Sequence, residues 1–101
     1  MDHYLILCDE NGNQLKTYPS VPGLESLRKS AREHKGVAFY FHETSRTALI
    51  NGRFRRFFYY DYCDVYRNGV VVKTYKWNEG LNSPWSDSLD ADLVMKDYFS
   101  R

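Results

Sequence analysis

The chain has 101 residues, 43% of them hydrophobic and 17% aromatic, with a formal net charge of +1. That length supplies one core and one domain, residues 1–101, burying about two-thirds of the unfolded surface, and the aromatic content excludes global disorder. Apolar runs of about four residues, such as Leu5 to Cys8, are too short for a membrane span, and Asp2 and His3 stand where a secretory signal carries basic residues.

The first predicted hairpin pairs Tyr4 to Cys8 with Gln14 to Tyr18 around Asn11-Gly12. Asn-Gly supplies the two positive φ angles of a type I′ turn, the strongest short hairpin signal. A helix follows: Leu24, Leu27, Ala31 and His34 recur at helical spacing, with Arg28, Lys29, Arg32 and Lys35 outside the stripe, and Gly36 stops it. On that stripe His34 reads as a core-edge histidine. Gly36 to Phe41 forms the next strand. Asn51-Gly52 joins Thr47 to Ile50 with a strand starting at Arg53, and Asn68-Gly69 joins Tyr62 to Tyr66 with Val70 to Trp77. Alternation breaks near Tyr60 and Asp61, which predicts a bulge or a bend between two strands. A second helix is expected from Ser86 or Ser88, with Asp87, Asp90 and Asp92 favouring its first turns. It carries Leu89, Leu93, Val94 and Tyr98 to near the C-terminus.

Residues 11–26 and 68–83 match at eight of sixteen aligned positions, including Lys-Thr-Tyr and Gly-Leu-x-Ser. Unrelated sequences would match at about one. This suggests a duplicated hairpin–helix unit, roughly residues 4–35 and 61–99, with residues 36–60 between the copies. The expected fold is a two-layer α+β domain: a mostly antiparallel sheet of six or seven strands with both helices on one face. If Leu15 and Val72 face the helices, Lys16, Tyr18, Lys73, Tyr75 and Trp77 share the opposite face. An antiparallel sheet can leave that face open to solvent, and an uncovered aromatic face marks a binding surface.

Charge is unevenly distributed. Between Arg28 and Arg56 eight basic residues stand against Glu33 and Glu43, whereas four aspartates from Asp87 onward face Lys96 and Arg101. The stretch Arg53-Phe54-Arg55-Arg56-Phe57-Phe58-Tyr59-Tyr60 has two readings. Its aromatics can build the core while Arg53, Arg55 and Arg56 hold the solvent end. It can equally form a platform for stacked bases and phosphates, or for a protein partner. Cys8 and Cys63, without an export signal or CxxC spacing, are expected to be reduced and buried, not a disulfide or zinc pair. His42 and Glu43 are strand neighbours on opposite faces and form no dyad by themselves. No phosphate loop or nucleophile motif is present, so no enzyme, cofactor or metal is expected.

Asp9-x-x-Gly12-x-x-x-Lys16-Thr17-Tyr18-x-Ser20 before a helix resembles the nuclease-associated modular domains found beside homing nucleases. That resemblance covers under a third of the chain and implies DNA contact; the second copy has Trp77 in place of the serine. In general build the chain resembles the small inhibitors that phages and mobile elements direct against host defence nucleases, including anti-CRISPR proteins. The resulting expectation is a cytoplasmic, non-enzymatic binding protein that occludes a surface of a nucleic-acid-handling protein partner. The alternative is a nucleic-acid-binding module. The binding residues expected are Lys16, Tyr18, Arg53, Arg55, Arg56, Lys73, Tyr75 and Trp77. Four aspartates are few for phosphate mimicry by the second helix. Oligomeric state is not readable from the sequence.

Overall fold

Each Asn-Gly dipeptide reverses the chain in the computed structural model, which describes residues 4–18, 24–82 and 88–100. Strands β1 (Tyr4–Cys8) and β2 (Gln14–Tyr18) form the first hairpin, followed by helix α1 (Leu24–Glu33). Strands β3 (Val37–Ile50), β4 (Arg53–Arg67) and β5 (Val70–Lys76) then run without interruption into a 3₁₀ turn (Trp77–Glu79), and α2 (Ala91–Phe99) ends the described chain. The sheet is antiparallel, in the order β2-β1-β3-β4-β5.

Five strands replace the six or seven expected. The runs read as separate strands are continuous: 37–41 and 47–50 belong to the 14-residue β3, and 53–60 and 62–66 to the 15-residue β4. The expected break near Tyr60 is a bulge inside β4. His42 pairs with Tyr62 and Glu43 with Tyr60, so Asp61 is the extra residue.

The helices lie on opposite faces of the sheet, not on one. Leu5, Leu7, Ala38, Tyr40 and Tyr66 pack with Leu27 and Ala31 of α1. The alternate residues Ile6, Cys8, Val37, Phe39, Phe41, Cys63 and Val65 pack with Val94 and Met95 of α2. Every residue of Leu5 to Cys8 and of Val37 to Phe41 is therefore buried. An unbroken apolar run is how a strand covered on both faces is written. Helix α1 adds a polar anchor: the Arg28 guanidinium lies 5.5 Å from the Tyr40 ring centre and donates to the Tyr62 hydroxyl at 3.3 Å. His34 holds the core edge as expected, its Nε2 2.7 Å from the Cys8 carbonyl oxygen.

In the described parts of the two repeat segments the turns differ, while residues 19–23 and 83 lie outside the described residues. Asn51-Gly52 and Asn68-Gly69 have paired positive φ angles (52° and 76°; 49° and 83°), as type I′ turns require. In the first hairpin only Gly12 is positive. There Asp9 organises a wider loop, its carboxylate accepting from the backbone N–H of Asn11 and Asn13, each at 2.9 Å. An aspartate that bonds backbone two residues ahead competes with the tight turn. After β5, moreover, Asn82 bridges to Leu89, and Ser83 of the second copy lies outside the described residues. Helix α2 starts at Ala91, later than expected, with Asp90 as its cap accepting from the Leu93 N–H at 3.1 Å. Ser86 lies outside the described residues. Ser88 does not cap the helix: its hydroxyl accepts from the Tyr60 N–H at 2.8 Å, beside the bulge. The Asn68 turn docks tightly on α1, since a Cβ on Gly69 would collide with the Arg32 carbonyl.

Candidate functional site

Among the described residues β1 pairs β3 up to Phe41, and β5 pairs β4 from Tyr62 onward. Ser88 and Leu89 occupy the Tyr60 backbone, with Leu89 N donating to Tyr60 O at 3.1 Å. Beyond that point, among the described residues, β3 and β4 pair only with each other, from Thr44–Tyr59 to Ile50–Arg53. Seven residues of strand make this arm about 24 Å long, consistent with a molecule 49 Å in its longest dimension. Phe54 is 78% exposed at the tip; Phe57, Phe58 and Leu49 are exposed along the arm. Residues 44–60 hold Arg46, Arg53, Arg55 and Arg56 and no carboxylate. Arg53, Arg55 and Arg56 are therefore gathered on one projecting element. The phenylalanines beside them do not build the core.

The expected platform on the sheet does not form. Tyr18 stands opposite Leu5 and Lys16 opposite Leu7, so both lie on the α1 face. Tyr75 pairs with Cys63 and Lys73 with Val65, on the α2 face. Trp77 leaves the sheet in the 3₁₀ turn and is 41% exposed. Leu15, assigned to the helix side, is 60% exposed, whereas Tyr75 is 1% exposed. Leu15 and Val72 are each the extra residue of a bulge, Lys16 pairing with Leu7 and Gln14 with Cys8, Lys73 with Val65 and Val71 with Tyr66, so simple alternation does not set their side. Tyr75 also donates to Asp97 of α2 at 2.7 Å. What the two Lys-Thr-Tyr sequences share is local: Lys16 Nζ sits 4.7 Å from the Tyr18 ring centre and Lys73 Nζ 4.8 Å from that of Tyr75.

A pocket of about 450 Å³ opens at the foot of the arm, on the α1 side of β4 and β5. Helix α1 packs mainly on β1 and β3 and reaches this part of the sheet through Arg28, which donates to the Tyr62 hydroxyl. Tyr62 and Asp64 form the β4 floor, opposite Lys76 and Thr74 of β5, while the bulge residue Asp61 and Trp77 contribute walls. One face of the Tyr62 ring is stacked on His42, with centres 4.6 Å apart and planes 8° from parallel. His42 Nδ1 lies 2.8 Å from Asp61 Oδ1, and the Thr74 hydroxyl donates to Asp64 at 2.7 Å. His42 thus does pair with a carboxylate, but across the sheet and through the bulge, not with Glu43 as its neighbour. Sequence reading missed this pocket because three elements build it; the break in alternation at Asp61 was the one signal for it.

Cys8 and Cys63 are both free and buried, as expected. Burial pushes the Cys8 thiol up to about 11, with the Asp9 charge adding to it, and burial likewise holds the Cys63 thiol well above its ordinary value, with the Asp64 charge adding. Asp90 and Asp97 are held in the α2 cap and by Tyr75, so the acidic helix presents fewer carboxylates than its composition suggests. Among the described residues no three His, Cys, Asp or Glu side chains gather as a metal would require, and no helix is long and apolar enough to cross a membrane. No family model matches this chain, and neither a curated protein nor a solved structure matches it.

Proposed function

We propose that this chain is a small non-enzymatic binding protein of the inhibitor type, related in manner to the anti-defence proteins of phages and mobile elements. It lays its β3–β4 arm over a surface of a nucleic-acid-handling protein. The observation that carries this reading is the arm: exposed Phe54, Phe57 and Phe58 interleaved with four arginines and no carboxylate. Rigid aromatics and arginine are the residues that dominate interface energetics, and a basic surface fits a partner that itself presents acidic groups. The reading places the protein in the cytoplasm, where Cys8 and Cys63 remain reduced.

The carboxylate-free charge of the arm also favours a second reading, in which the arm contacts nucleic acid directly. A two-stranded ribbon is narrow enough to enter a major groove, and phenylalanine is used as a wedge between base steps. Capture of partners from a lysate of the cells where the protein acts, with and without nuclease treatment, separates the two. A protein partner retained after nuclease supports the inhibitor reading. Binding abolished by nuclease, with affinity falling log-linearly in salt at a slope no steeper than about −4 for four arginines, supports direct nucleic-acid contact.

A further inference from the structure

We propose that the pocket at the foot of the arm binds a single unpaired nucleobase, guanine above the others, either as a free nucleotide or within a single strand. The proposal goes beyond the arm reading and does not rest on it. Three features of the pocket converge.

The first is a prepared stacking surface. His42 covers one face of the Tyr62 ring in near-parallel stacking, and Arg28 holds the hydroxyl. The remaining face lies toward β5, where Lys76 is the directly paired residue, and so fronts the pocket. A planar ligand set there extends an existing two-ring stack, and the ring is already held in place to receive it. Base–aromatic stacking operates on every base, so Tyr62 contributes affinity and not choice. Trp77 supplies a second exposed aromatic wall.

The second is an edge that accepts hydrogen bonds. Asp61 has one oxygen engaged by His42, and Asp64 has one engaged by Thr74. Their other oxygens, and the second lone pair of the engaged ones, leave a carboxylate edge for a donor-bearing ligand. Guanine presents two adjacent donors, N1–H and N2–H, which the free oxygen and the second lone pair of the Thr74-bonded oxygen of Asp64 can accept together. Adenine and cytosine present one exocyclic amine beside a ring acceptor. Uracil and thymine present one N–H between two carbonyls, which a carboxylate repels. The expected order is therefore guanine, then cytosine and adenine, then uracil.

The third is the remaining polarity. Lys76 and Asn78 also line the pocket. A simple organic cation would be repelled by Lys76. A nucleotide uses it, as the partner of a phosphate or of the guanine carbonyl, and Asn78 offers an amide donor to the same atoms. The volume of about 450 Å³ falls within the range of small-ligand sites.

The test is calorimetric titration of the full chain with GMP, AMP, CMP and UMP, and with short single strands that contain or lack guanine. GMP is expected to bind at least tenfold more tightly than UMP. Asp64→Asn, which keeps the shape and the Thr74 contact, should lower GMP affinity at least tenfold and narrow its margin over UMP, with the melting temperature preserved. Tyr62→Leu should weaken all four nucleotides together. Strands that bind more tightly than GMP assign the site to nucleic acid, and equal affinities assign it to free nucleotide. Equal binding of GMP and UMP, no saturable binding at millimolar nucleotide, or an Asp64→Asn variant with wild-type discrimination overturns the proposal. Arg53→Ala with Arg55→Ala leaves the pocket intact. Loss of partner capture in that variant with GMP binding retained separates the arm from the pocket.

Discussion

The same two strands live in two environments. From Val37 to Phe41 and from Tyr62 to Arg67, β3 and β4 are flanked by β1 and β5, and over Val37 to Phe41 a helix packs on each face. From Thr44 to Tyr59 they pair, among the described residues, only with each other. Phe39 is wholly buried in the first region, and Phe54 is 78% exposed in the second. A phenylalanine in the body is accounted for by packing. One on the arm contributes little to folding, since its ring stays in water, so its presence there calls for something that covers it. The difference is what supports the proposed contact surface, without reference to any motif.

Substitution can break this comparison most sharply in the body. Phe39→Ala should cost about 3–5 kcal/mol by chemical denaturation, because ring contacts with Tyr98 and Phe99 vanish and a cavity remains. Phe54→Ala on the arm should change stability by less than about 0.5 kcal/mol, the usual limit for surface sites. Equal losses at the two positions would mean that the arm packs on the body.

The tyrosines of the two Lys-Thr-Tyr segments give a smaller contrast. Tyr75→Phe leaves Asp97 without its hydroxyl donor and should lose about 1–3 kcal/mol, the range for hydrogen bonds to charged groups. Lys16→Ala and Lys73→Ala should each lose no more than about 1 kcal/mol, as expected for exposed cation–ring contacts. Should Tyr75→Phe prove as mild as the lysine variants, the α2 docking described here is wrong.

How far the sequence spoke can be judged from these same residues. Three Asn-Gly dipeptides marked three hairpins, the Leu27 and Ala31 stripe marked α1, and broken alternation marked the bulge at Asp61. The unbroken runs Leu5 to Cys8 and Val37 to Phe41 already carried the message that both faces are covered. Read as one-sided strands they led to the wrong placement of the helices, and with it to a tyrosine platform. The arm was hidden for a different reason. Residues 44–59 have ordinary strand chemistry, and what makes them an arm is where β1 and β5 stop pairing, a tertiary fact. Arg53, Arg55 and Arg56 were singled out by their charge. Asp61, Asp64 and His42 became neighbours only through the bulge.

A further effect is expected in alkali. Burial holds the Cys8 thiol near 11 and the Tyr40 hydroxyl near 12, against ordinary values of 9 and 10. In the unfolded chain both groups ionise at lower pH, so the folded state binds more protons there. The stability linked to Cys8 is fully present below pH 9 and declines as pH rises toward 11; that linked to Tyr40 declines between 10 and 12. Melting temperatures measured from pH 8 to 12 should fall in that order. Both native thiols should also react slowly with a thiol reagent at neutral pH.

The central claim is that the arm makes the contact and the body carries it. Its most direct measurement excises residues 44–59, joins Glu43 to Tyr60 through an Asn-Gly turn, and compares partner capture and thermal unfolding with the full chain. The account predicts a cooperative transition within a few degrees of the full chain and loss of capture by at least a hundredfold. A variant that still captures its partner at full affinity, or that fails to fold at all, would contradict it.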